Sequence, residues 1–183
     1  MTARATQSPR SDDTFRRARR FVRESAVQVL YQLDIAGDWD LEGFDFERYW
    51  EQVDSLAEGC PPEHDAAGLK REVVELVHGA TAHRQDIDAR LGASAKNWSL
   101  ARMAVIDRNV LRLGAYEILY CDDVPPLAAL DEAIEIAREF GDRNSTRFVN
   151  GILDRILRDK LAPPAAEGEA PAAASAGEGE NAP

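Results

Sequence analysis

Apolar residues recur at steps of three and four along most of the chain, the period of amphipathic helices. Val22, Ala26, Val29, Leu30 and Leu33 form the first stripe, and Gly37 is its expected stop. A shorter amphipathic piece over 41–56 carries Phe44, Phe46, Tyr49, Trp50, Val53 and Leu56, and Gly59-Cys60-Pro61-Pro62 breaks it. Leu69, Val73, Leu76, Val77 and Ala80 give a third stripe, which Ile87 and Leu91 continue past a bend. Residues 92–99 read as a loop. From Met103 to Leu119 apolar residues surround most of the circumference, so this helix should be central and covered on several sides. Pro125-Pro126 opens the next element, with Leu130, Ala133, Ile134 and Ala137 as its stripe and Gly141 at its C-terminal end. Asn144-Ser145 offers an N-cap for a last helix built on Phe148, Val149, Ile152, Leu153, Ile156 and Leu157. No alternating strand pattern competes. The expected fold is all-α, a compact bundle of about six or seven helices.

Composition sets the limits of that bundle. The chain has 183 residues, enough for one domain. Residues 1–14 are polar and are expected to be a disordered basic arm. Residues 15–161 are the expected helical domain, and 162–183, rich in Ala, Glu, Gly and Pro, an expected disordered tail. No apolar run approaches the roughly 18 residues of a membrane span, and no secretory signal is legible. Cys60 and Cys121 are too few for a disulfide framework and read as reduced thiols of a cytoplasmic protein.

Catalytic chemistry finds little support. There is no glycine-rich nucleotide loop and no paired CxxC. His78 and His83 are five apart, off any shared helix face, so no metal or other cofactor is expected. Glu132, Glu135 and Glu139 recur as a solvated face. The protein is expected not to be an enzyme.

Charge is more informative. The formal net charge is −11, yet residues 1–23 hold seven arginines against two acids. The four glutamates after residue 160 have no basic counterpart. A cationic segment on an acidic body points to a local anion site. On a helix, Arg16, Arg19, Arg20 and Arg23 share one stripe beside the apolar face, with Arg17 next to it. Val27 and Tyr31 continue the row. Guanidinium groups match phosphate oxygens and stack on unpaired bases, so single-stranded RNA is a candidate ligand. An arginine-rich helix end that merely pairs with the acidic body fits the pattern equally well.

Four segments in order carry a resemblance to the NusB family of transcription antitermination factors. They are Arg23-Glu24-Ser25-Ala26-Val27-Gln28-Val29-Leu30-Tyr31; Asn97-Trp98-Ser99-Leu100 with the helix 106–117; Asp131 to Ala137 closing at Phe140-Gly141; and Ser145 to Asp154. The resemblance covers roughly residues 16–157. It implies two small helical subdomains sharing one interface. It also implies binding of boxA-type single-stranded RNA together with NusE, a small-subunit ribosomal protein, within an RNA polymerase elongation complex. On matching positions the implied RNA contacts are the segment Arg16, Arg17, Arg19, Arg20 and Arg23, and the turn Asn144, Ser145, Arg147 and Phe148. Phe148 also fits the apolar face. Tyr31 and Asp107 fall where the family meets NusE. Asp131 departs from the family's usual asparagine. An RNA-modifying enzyme with a NusB-like domain is one alternative, and a helical adaptor without an RNA role is another. If the arginines form an exposed ridge, reversing Arg19, Arg20 and Arg23 to glutamate should abolish RNA binding and leave the fold cooperative.

Overall fold

The computed structural model describes residues 9–55, 60–62, 64–95 and 98–162. Residues 1–8 of the expected arm and 163–183 of the expected tail lie outside the described residues, as does Asn97. The helices are α1 (Pro9–Ala36), α2 (Phe46–Asp54), α3 (Ala66–Ala82), α4 (Arg84–Ser94), α5 (Val105–Tyr120), α6 (Pro126–Phe140) and α7 (Ser145–Leu161), with one 3₁₀ turn at Leu100–Arg102. No strand occurs among the described residues.

The boundaries follow local chemistry. Helix α1 starts at Pro9, so residues 9–14, expected in a disordered arm, are helical instead. Proline suits a first helical position. At the other end Gly37 takes φ +69°, the left-handed conformation that terminates a helix at little cost for glycine. Helix α2 begins later than the apolar pattern suggests, because Asp45 caps it by accepting from the Arg48 N–H at 2.9 Å. Helix α4 runs to Ser94, which shortens the loop expected over 92–99.

Helix α5 is the centre of the molecule, and α1, α3, α4, α6 and α7 all pack against it. Leu111, Ala115 and Ile118 are fully buried there. Helices α1 and α3 pack on each other, α5, α6 and α7 form a second group, and the α1–α5 contact joins the two. Gly79 and Gly114 let this packing close. A Cβ at Gly79 would collide with the Tyr116 ring, and one at Gly114 would lie 2.7 Å from Leu153 Cδ1.

A polar clamp fastens the α1–α5 seam. Asp34 accepts from Arg108 Nη2, Asn109 Nδ2 and Arg112 Nη1, each at 2.8 Å. Arg112 also donates from Nε to Asp88 of α4 at 2.8 Å. Trp39 lies under the guanidinium groups of Arg84 and Arg112, 4.5 and 4.8 Å from its ring centroid. Burial by itself pushes the Asp34 carboxyl up. The hydrogen bonds from Arg108 and Asn109, with the Arg112 charge, outweigh it and hold the carboxyl below its ordinary range. A carboxyl lowered on folding contributes stability above its unfolded pKa, and that contribution is lost as pH falls through the folded value. Asp34→Asn should therefore cost about 1.5–3 kcal/mol at pH 7, the range for hydrogen bonds to charged groups. In urea melts the gap from the parent should close as pH drops below about 4, the ordinary aspartate range. A gap independent of pH would show that the charge is not what clamps the seam.

Candidate nucleic-acid interface

The arginine stripe divides into three layers. Arg16 and Arg17 are exposed. Arg16 has no polar partner among the described residues and borders a cavity of about 440 Å³ with Phe15, Arg19, Pro125 and Asp131. Arg19 and Arg20 are half-buried and engaged: Arg19 Nη1 donates to Glu72 of α3 at 2.8 Å, and Arg20 Nε to Glu24 at 2.6 Å. Arg20 also pairs with Glu139 near the end of α6. These outer ion pairs contribute about 0–1 kcal/mol each, so an incoming phosphate can replace a carboxylate at little cost.

Arg23 differs, and the expectation that it belongs to an exposed ridge is corrected. It is 6% exposed, and its Nε donates to both carboxylate oxygens of Glu117 at 3.0 Å. Glu132 stands 3.6 Å from its Nη1. The stripe runs inward because α1 meets α5 along this stretch, where Phe21, Val22 and Ala26 are buried. Glu117, in the middle of the apolar α5, is 1% exposed and needs this cation. A charge reversal that includes Arg23 would bury two carboxylates side by side, so the expectation of a cooperative fold after the triple reversal is corrected as well.

The second part of the interface is the turn from α6 into α7. Gly141 is held close: a Cβ there would press on Ser145. Asp142 Oδ1 accepts from the N–H groups of Asn144 and Ser145 at 2.7 and 3.1 Å, while the Ser145 hydroxyl accepts from the Asp142 N–H at 2.8 Å. Ser145 is 1% exposed, so it shapes the turn and presents no side chain to a ligand. Asn144 makes no side-chain cap bond and, like Arg147, is exposed.

Beside this turn lies an open cleft of about 350 Å³, lined by Trp98, Arg102, Met103, Asp107, Asn144 and Phe148. Trp98 is 51% exposed and meets Phe148 edge to face at 6.3 Å. Arg102 stacks over Trp98 at 5.6 Å. Phe148 is half-buried, packed on the core and forming one wall of the cleft. Trp98 and Arg102 were not singled out as site residues by sequence reasoning. An exposed tryptophan in the quoted Asn97-Trp98-Ser99-Leu100 segment was the available signal.

Asp107 sits at the floor of this cleft, 7% exposed, with its Oδ1 lacking any hydrogen-bond partner. Burial pushes its carboxyl up, a hydrogen bond from Ser145 opposes this, and the Asp142 charge adds to it. A buried carboxylate short of donors costs stability, and such a cost concentrates at functional sites. Tyr31 is 40% exposed on α1, one turn before Asp34. Asp34 grips Arg108 and Asn109 of α5, whereas Asp107 faces the α6–α7 turn with Asp142 and Ser145.

Fold and site together define an all-helical protein with an open aromatic cleft that Arg102 edges. A sequence profile of the NusB family matches residues 20–158. The transcription antitermination protein NusB of Elusimicrobium minutum is 42% identical over 144 residues, 78% of this chain and 94% of that protein. The protein of the same name from Saccharopolyspora erythraea is 43% identical over 147 residues, 79% and 90% of the two chains. Thermotoga-type NusB, solved as T. maritima NusB, superimposes with a TM-score of 0.61 at 35% identity, covering 77% of this chain and 91% of that one. A NusB chain from a crystal structure of antitermination factors NusB and NusE in complex with double-stranded RNA superimposes with a TM-score of 0.63 at 26% identity, over 78% and 98%. The chain belongs to the NusB family.

Proposed function

We propose that this protein is a transcription antitermination factor that binds boxA-type single-stranded RNA together with NusE. In this reading it joins an RNA polymerase elongation complex, notably on ribosomal RNA operons, and acts by binding without a catalytic step. The observation that carries the reading is the cleft at the α6–α7 turn. Exposed Trp98, edge-on Phe148 and the Arg102 guanidinium offer stacking surfaces for unpaired bases, with Asn144 at its edge. Arg20 reaches Glu139 two residues before Gly141, so the arginine segment of α1 borders the same turn. The related NusB solved with NusE and RNA supports both partners. The exposed Tyr31 on α1 marks the surface assigned to NusE, whereas Asp107 lies buried at the floor of the cleft.

Two ligands on adjoining faces of one rigid helix pair are coupled reciprocally, each raising the other's affinity by the same factor. NusE should tighten boxA-like RNA about 5- to 150-fold, the usual span of such coupling, and tighten scrambled RNA less. Gel-shift titrations of both RNAs with and without NusE measure this. An RNA affinity that NusE leaves unchanged would count against joint binding.

A further inference from the structure

The outward face of α7 carries a second cationic feature. Arg143, Arg147 and Arg155 are exposed, and none forms an ion pair or hydrogen bond among the described residues. Arg16, Arg48, Arg71 and Arg102 are likewise exposed without an ion pair among the described residues, whereas three other exposed arginines are engaged on their own helices. Arg90 pairs with Asp86, Arg138 with Glu135 and Arg158 with Asp154, each three or four residues away on its own helix. Around Arg147 the corresponding positions hold Asn150 and Gly151, which offer no carboxylate. Steps of four along α7 read Arg147, Gly151, Arg155, and Arg143 lies in the turn before the helix.

Gly151 is the anomaly in this row. Glycine inside a helix costs about 1 kcal/mol relative to alanine. Gly79 and Gly114 are required by packing, but a Cβ at Gly151 would meet nothing within 4 Å. Its φ is not positive either, since Gly37 alone among the described glycines has that conformation. The fold therefore gives no reason for glycine at 151. A bare backbone between two unpaired guanidinium groups, spaced roughly 12 Å along the axis by eight residues of helix, suits a close-approaching, extended polyanion.

We propose that the α7 face Arg147–Gly151–Arg155, with Arg143 in the turn before it, is a track for the RNA sugar-phosphate backbone, carrying the strand away from the Trp98–Phe148 cleft. The track starts next to the cleft, because Phe148, which follows Arg147 in α7, forms the cleft wall. The inference rests on the RNA-binding reading above and extends the contact to residues that reading does not use. The rest of the body is acidic, so a strand leaving the cleft is steered onto this row and away from its surroundings.

The test uses the full chain with NusE and boxA-like RNA extended by about ten nucleotides on either side. Each arginine–phosphate contact to a single strand adds about −0.7 to the slope of log K against log salt. Arg147→Gln with Arg155→Gln should flatten the slope by about 1.4. Gly151→Gln, which changes no charge, should raise the melting temperature and weaken RNA at least tenfold. Arg48→Gln with Arg71→Gln, exposed arginines elsewhere, should leave the slope unchanged. If wild-type protein binds this RNA with a normal slope and the α7 variants match it, the track is wrong and the cleft reading stands. If the α7 variants weaken NusE and spare RNA, the face belongs to the protein partner and the track is also wrong. If wild-type protein binds no RNA, both readings fall.

Discussion

Arg23→Ala is expected to destabilise the fold by about 3–5 kcal/mol, the usual cost of removing one partner from a buried ion pair. The reason is the carboxylate left behind. Glu117 is 1% exposed in the central helix and receives two hydrogen bonds from Arg23. Without that cation it must stay charged in an apolar surround or take up a proton. The double substitution Arg23→Met, Glu117→Leu removes both charges and preserves volume, and it should recover most of the loss. Urea denaturation of the single and double variants gives both numbers. A single-variant cost under about 1 kcal/mol would mean the pair is solvated after all. The same result bears on function: variants of Arg23 lose RNA through unfolding, so they say nothing about contact.

The second large effect concerns RNA directly. Reversing Arg16, Arg17 and Arg147 to glutamate should lower affinity for boxA-like RNA about 100-fold at 0.1 M salt. Losing three phosphate contacts at about −0.7 each makes the slope less negative by about 2, which is two decades at that salt. All three are exposed, so the circular dichroism melt should stay within about 0.5 kcal/mol of the parent. Fluorescence anisotropy over a salt series separates the two terms: affinity falls, and the slope flattens. A hundredfold loss with an unchanged slope would point to altered folding or altered stacking in place of lost phosphate contacts.

Much of the fold is legible in the chain because helical period and burial coincide. The near-continuous apolar circumference of 103–119 marks the helix that five others cover. Gly37 and Pro125-Pro126 mark ends that the structure keeps. The misplaced ends have local causes, such as the Asp45 cap on α2, that hydrophobic spacing does not register. The site is legible in part. Helical geometry places Arg16, Arg19, Arg20 and Arg23 on one stripe, but not which end of the stripe meets solvent. That depends on Glu117, 94 residues further on, and on where α5 crosses. Ser145 and Asp107 were read as surface contacts from their position in motifs. Their burial follows from the tight turn at Gly141 and from the first turn of α5 beneath it. The cleft needs Trp98 and Phe148, 50 positions apart in the numbering, to meet, and no local pattern announces that.

Charges serve two separate tasks in this protein. Buried charges, Arg23 with Glu117 and Asp34 with Arg108 and Arg112, hold helices in register. Exposed arginines, with weak or no partners, remain available to a polyanion. The acidic remainder repels RNA elsewhere and suits a basic protein partner.

The most direct test of where RNA lies is photo-cross-linking of 4-thiouridine-substituted boxA-like RNA to the NusE-bound protein, with adducts mapped by mass spectrometry. The expected adducts fall at Trp98 or Phe148 and on the peptides bearing Arg16 and Arg147. Adducts confined to α2 and α3, with none at the cleft, would contradict the account.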